Sequence, residues 1–188
     1  ARQRLALRQV LLAANNSFLD LGDGIYLTGG LLAITNGTVV SNVGQGVAFL
    51  NSVTGDISIA NSIFWGNGDD LVNFPTNDLG GITNLWYCDI EDGDNNTTNE
   101  CLSVDPLFAD TVYYHLKSKK GYYGNGYFSG GSWSMAGEQS PLIDAGDPAG
   151  GYSQEPFPNG ERINLGAYGN TTVASKSFPP VGTLYIMH

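Results

Sequence analysis

Positive charge is what this sequence has least of: eight Lys and Arg stand against eighteen Asp and Glu in 188 residues, a formal charge of −10 at pH 7. A polyanion is repelled over most of such a surface. That argues against nucleic acid as a partner and, less strongly, against an acidic polysaccharide unless bound Ca²⁺ bridges the like charges. Long apolar runs are missing too. None approaches the ~20 residues of a membrane-spanning helix, and no secretory h-region precedes a cleavage site, so the chain reads as soluble once any targeting segment is removed. Two Cys and two His occur, with no CxxC and no Cys/His cluster, which disfavours a structural zinc site. Cys88 and Cys101 flank the polar loop 91–100. A disulfide closing that loop in an oxidising compartment and a pair of free buried thiols both fit.

Glycine is abundant, with 26 residues, and it is interspersed with Asn, Asp, Ser and Thr among Ile, Val, Leu, Tyr and Phe. This mixture suits many short strands joined by tight turns and argues against long helices, so the fold class is all-β with one substantial core. The strongest internal signal is a repeat. Ile-Ala-Asn-Ser-Ile-Phe-Trp-Gly-Asn at 59–67 matches segments that begin at Leu7, Ile34 and Leu85, at steps of 27, 25 and 26 residues. The last copy closes on Gly where the others have Asn. Second short strands follow at 24–27, 46–49 and 70–74. About 26 residues with this composition fit one coil of a parallel β-helix, whose strands pair one coil away at ~4.8 Å and whose apolar face needs neighbours or a cap. Residues 1–16 are good helix formers as well, so a short amphipathic helix competes there with a strand.

The recurring Asn residues have a role in that picture. Asn15, Asn42 and Asn67 fall on one line and Asn36 and Asn61 on a second. Asn tolerates the left-handed conformation of a sharp corner, and stacked amides hydrogen-bond as a ladder. Such a line also suits sugar hydroxyls, but stacking is the reading adopted. The coils occupy 1–93. A loop-rich C-terminal region follows over 94–177, with a Gly/aromatic insertion at 121–134, and a Pro-Pro link at 178–180 leads to an apolar strand over 181–187.

The coil at 61–67, Asp-Pro-Leu-Phe at 105–108, Tyr-His-Leu-Lys-Ser at 114–118, Ser-Pro-Leu-Ile-Asp-Ala-Gly-Asp-Pro at 140–148 and Arg-Ile-Asn-Leu-Gly-Ala-Tyr-Gly at 162–169 together resemble the C-terminal end of bacterial right-handed parallel β-helix repeat proteins. The resemblance implies a right-handed β-helix of about four coils with an irregular cap and a separate final strand. It also implies an extracellular or cell-surface location and an open first coil. It says little of activity, because that fold carries lyases, hydrolases, adhesins and structural proteins.

Several groups are candidates for chemistry. Asp69 and Asp70 bring to mind paired carboxylates of glycoside hydrolases, yet neighbours in a strand face opposite ways, no His-Gly follows, and Asn164 stands where the polygalacturonase pattern has Lys. A lyase needs a base beside an acidic cluster. The basic residues Lys117, Lys119, Lys120, Arg162 and Lys176 all lie outside the repeating coils. Asp89, Glu91, Asp92 and Asp94 form the densest set of oxygen ligands and are the candidates for Ca²⁺; a solvated acidic loop explains them equally. Tyr122, Tyr123, Tyr127, Phe128 and Trp133 suit sugar stacking or a protein contact, unless they fold back on the last coil. Val181, Leu184, Tyr185 and Ile186 suit pairing with another subunit. Asn15, Asn36, Asn95, Asn96 and Asn170 fit the glycosylation pattern. The expectation is a non-catalytic structural or adhesive module that self-associates through its first coil and final strand, with no required cofactor. The alternative is a polysaccharide-active enzyme or carbohydrate-binding domain.

Overall fold

Leu7, Ile34, Ile59 and Leu85, the first residues of the four sequence copies, are paired neighbours on successive parallel strands. The computed structural model describes residues 4–14, 24–50, 56–72, 83–92 and 99–180. Its strands are β1 (Arg4–Ala13), β2 (Ile25–Leu27), β3 (Leu31–Val40), β4 (Gln45–Phe49), β5 (Ile57–Ala60), β6 (Ile63–Trp65), β7 (Asp69–Val72), β8 (Thr83–Trp86), β9 (Asp89–Ile90), β10 (Tyr122–Gly124) and β11 (Ser132–Ser134). No helix occurs among the described residues, and so none is long and apolar enough to cross a membrane. The opening segment is a strand: β1 pairs with β3 along almost its whole length, and that tertiary pairing overrides the helix propensity of its Leu, Arg and Ala. Asn15, Asp94 and the segment containing Val181, Leu184, Tyr185 and Ile186 lie outside the described residues.

The chain divides into two compact units, one of residues Ala1–Pro106 with Leu165–Ala167, the other of Leu107–Asn164 with Tyr168–His188. In the first unit, one sheet runs in the order β8-β5-β3-β6-β9 with β1 also on β3, and a second runs β2-β4-β7. All of these pairings are parallel. Stacking continues beyond β9 through a parallel bridge between Asp89 and Leu102. The in-register columns are apolar and inward: Leu32 on Ile57, Ile34 on Ile59, Val39 on Phe64 on Ile90, and Val47 on Leu71. Each such fully buried side chain contributes ~1.5–3 kcal/mol.

The bends have a cause that repeats with the sequence. Gln9, Asn36, Asn61 and Tyr87 are left-handed, with φ of 49°, 55°, 51° and 51°, and they divide each long strand into two arms. A second left-handed line is Ala14, Ser41 and Gly66, at φ of 55°, 54° and 66°. The corner role expected of Asn42 and Asn67 therefore belongs to the residue before each, since neither is among the positive-φ residues. Their side chains do different work. Asn42 Nδ2 donates to Asn67 Oδ1 at 2.8 Å, and Asn67 Nδ2 donates to the Val39 carbonyl at 2.9 Å. Room for the Asn67 amide requires a glycine at 46, where an added Cβ lies 3.0 Å from Nδ2 and 2.7 Å from the Asp70 carbonyl. Asn36 and Asn61, by contrast, are left-handed and buried as an aligned pair, with Asn36 Nδ2 finding no partner.

Among its described residues the second unit contains the antiparallel hairpin of β10 with β11 and an antiparallel bridge between Phe108 and Leu116, joined by turns, bends and irregular chain. Its buried apolar residues include Leu116, Leu142, Ile143, Ile163 and Val173. Buried Ser118 organises one junction: its Oγ accepts the Lys120 and Gly121 N–H groups and donates to the Lys176 carbonyl, while Lys176 N donates to the Gly121 carbonyl.

Candidate functional site

Asp70, Glu91 and Asp92 meet at the end of the Asn ladder. Asp70, in register one step beyond Gly46, is buried; its Oδ1 accepts from Asn67 Nδ2 at 2.8 Å and its Oδ2 from the Glu91 N–H at 2.8 Å. Asp92 Oδ2 accepts the Asp70 N–H at 3.0 Å, and Glu91 Oε2 accepts the Gly66 N–H. Asp69 is exposed on the other face of β7, and burial, then the neighbouring Asp92 carboxyl, raise its pKa. Burial, and more weakly the charge of Asp92, pushes Asp70 up to about 6 against its ordinary 3.8, despite the opposing bond from Asn67.

Asp89 is fully buried on β9. Its Oδ1 accepts the Val104 N–H at 3.0 Å, and its Oδ2 has no partner. Burial first, then the charges of Asp70, Asp105 and Glu91, pushes its carboxyl up to about 7. Of the residues considered for Ca²⁺, Asp89, Glu91 and Asp92 are described, and their oxygens go to separate backbone N–H groups. No group of three acidic, His or Cys side chains able to hold a metal occurs among the described residues. The reason is the strand alternation and rung pairing: carboxylates adjacent in sequence are sent to different rungs and faces. Asp69 and Asp70 take opposite faces of β7, one exposed and one buried, so the two do not flank a sugar as the carboxyl groups of an inverting pair do.

Cys88 and Cys101 are free and buried in the same apolar cluster. The Leu102 N–H donates to the Cys88 carbonyl at 2.7 Å and Ile90 N–H to the Leu102 carbonyl at 2.9 Å, which puts the two cysteines in register on neighbouring rungs. Each follows a left-handed residue, Tyr87 or Glu100, and each thiol points back to the carbonyl two residues earlier, as Ser62 Oγ does to Ala60. At the equivalent Gly37 an added Cβ would lie 2.6 Å from the Ile34 side chain. The two cysteines stand as free thiols on stacked rungs. Burial pushes the Cys88 thiol up, and the hydrogen bond from Cys88 pulls Cys101 down.

In the second unit the aromatic residues of 121–134 divide by role. Tyr123 packs edge-on against His115 and Trp133 and its hydroxyl accepts the Gly131 N–H at 2.7 Å; Tyr127 lies against Tyr113 and Phe128 against Tyr168. Tyr122 is half-buried in β10. The insertion thus folds back as a hairpin and leaves Tyr127, Phe128 and Trp133 partly exposed. At its base His115 is fully buried and stacks on Tyr168 at 3.6 Å. Its Nε2 faces the Gly126 and Tyr127 carbonyls at 3.0 and 3.1 Å. Two acceptors require the proton on Nε2, and burial lowers the imidazole's affinity for a second one. This His is a clamp on the hairpin.

Sequence reasoning passed over two features. Glu155 is buried, accepts the Asn164 and Asn170 N–H groups through Oε1, leaves Oε2 without a partner, and is pushed up to about 7 by burial. The second is a convergence of lysines: Lys176 joins Lys117, Lys119 and Lys120 through the Ser118 junction. No local signal announces either, because the partners are distant in the chain. Comparison with protein-family models, with curated proteins and with solved structures finds no match.

Proposed function

We propose that this chain is a non-catalytic, extracellular or cell-surface module of the right-handed parallel β-helix kind, about four coils long, with a structural and adhesive role. The observation that carries the reading is the first rung: β1 pairs with β3 on one side, and no strand among the described residues pairs with its other edge. A parallel edge of ten residues is a template on which a further rung of the same kind pairs. The acidic corner supports the non-catalytic part, since its carboxylates are engaged by backbone N–H groups or buried away from a substrate. A polysaccharide-cleaving enzyme is the second reading, and the partly exposed aromatic side chains of the hairpin favour sugar binding over cleavage.

The edge has a direct test. The Ala14 N–H donates to the Val40 carbonyl, so alternation along the strand aims the Leu11 N–H outward. Leu11→Pro removes that donor and leaves the inward bonds in place. Sedimentation velocity of the wild-type chain is expected to show concentration-dependent oligomers, and Leu11→Pro a monomer with unchanged circular dichroism. A wild type that stays monomeric, or oligomers that persist in the variant, would sink the assembly reading.

A further inference from the structure

The lysines concentrate positive charge in this acidic chain. All four, Lys117, Lys119, Lys120 and Lys176, belong to the second unit, although Lys176 is separated from the others by more than fifty residues of chain. The fold closes that gap. Ser118 and Gly121 hold the 176 backbone against the 118–121 turn through hydrogen bonds in both directions. Lys119 and Lys120 are exposed. Two of the ammonium groups are placed over rings: Lys176 Nζ stands 4.3 Å from the centre of Trp133, and Lys120 Nζ 4.2 Å from that of Phe178. Both rings retain large exposure, 42% for Trp133 and 55% for Phe178. Lys117 is tied to Glu138 at 3.1 Å, which leaves three ammonium groups with donors for an outside partner.

We infer that this surface, Lys119, Lys120 and Lys176 with Trp133 and Phe178, binds an acidic polysaccharide, its sugar carboxylates on the lysines and its ring C–H faces on the two aromatics. Cation–π contact holds the Lys120 and Lys176 ammonium groups in place and leaves their N–H donors available, so little side-chain freedom is lost on binding at those two. The number of charges chooses between polyanions. A nucleic acid gains its affinity by having many closely spaced phosphates neutralised, and three lysines on an acidic protein supply few such contacts. A polymer with a carboxylate on each sugar ring offers both partners that this surface needs, an anion for the ammonium groups and C–H faces for the rings. Global charge argues against such a ligand only as long as the lysines are counted as scattered. The inference deepens the adhesive part of the proposed function, and its test involves neither β1 nor rung stacking.

The measurement is affinity electrophoresis of the full chain in EDTA with three embedded polymers: polygalacturonate, its fully methyl-esterified form and single-stranded DNA. Retardation by polygalacturonate is expected, weakening with added salt, at least about tenfold weaker on the esterified polymer, and weak on DNA. Lys119→Gln with Lys120→Gln, two exposed positions, is expected to cut the retardation about tenfold with unchanged thermal unfolding, and Trp133→Ala by a similar factor. Lys176→Gln provides the independent third variant. The inference is overturned by absence of retardation, by equal retardation on the esterified polymer, by DNA binding as strong as or stronger than polygalacturonate binding, or by binding that survives the lysine substitutions.

Discussion

A carboxyl group with one oxygen on a backbone N–H and the other on nothing is most easily buried with its proton attached, and Asp89 is in that position. Its raised value of about 7, with Asp70 at about 6, means that the folded chain keeps protons that the unfolded chain releases above roughly pH 4. Stability from these groups is therefore highest at mildly acidic pH and declines as pH rises from about 4 to about 7, by at most ~1.4 kcal/mol per pH unit per group. His115 works in the opposite sense: its lowered affinity for a proton makes the fold less stable as pH falls below about 6.5. Asp89→Asn keeps an oxygen for the Val104 N–H and carries no charge. Thermal unfolding across pH 5 to 8 is expected to show a flatter profile for the variant and a higher Tm than wild type at pH 8. A variant with the wild-type profile would mean that Asp89 is ionised at no cost.

The strands of this protein are bent by single residues, and the bends repeat where the sequence repeats. Two left-handed lines, one through Asn36 and Asn61 and one through Ser41 and Gly66, turn each rung, while Asn42 and Asn67 tie adjacent rungs together. On the line of Asn42 and Asn67 the corner is the residue before each, Ser41 or Gly66. Asn is compatible with either role, and only the backbone angles separate them. Ser41 gives a clean measurement, being exposed with φ of 54°. Ser41→Val is expected to lower stability by ~1–2 kcal/mol, whereas Ser41→Gly should leave it unchanged or slightly raised, because glycine takes this conformation without steric cost. Urea unfolding of the two variants decides it. Equal losses would show that the side chain, and not the backbone angle, is what the corner requires.

Charge is divided unevenly over the whole molecule: the first unit has three basic and twelve acidic residues, the second five and six. Self-repulsion within the first unit is screened by salt, so raising NaCl from about 0.05 to about 0.5 M should raise the Tm by a few degrees. A Tm that falls with salt would instead indicate that attractive pairs dominate. The all-β class, the positions of the repeating strands and their register were legible in the chain itself. Steps of 27, 25 and 26 residues between Leu7, Ile34, Ile59 and Leu85 became the observed pairings, because a rung buries its apolar residues only when like residues of its neighbours lie beside them. Tertiary structure alone decided that the carboxylates of 89–92 part company, that Cys88 stacks on Cys101 as a thiol, that the aromatic insertion folds onto His115, and that Lys176 arrives among Lys117, Lys119 and Lys120. Periodic burial is written into spacing along the chain. The convergence of polar side chains depends on where non-repeating loops return, and no period in the sequence records that.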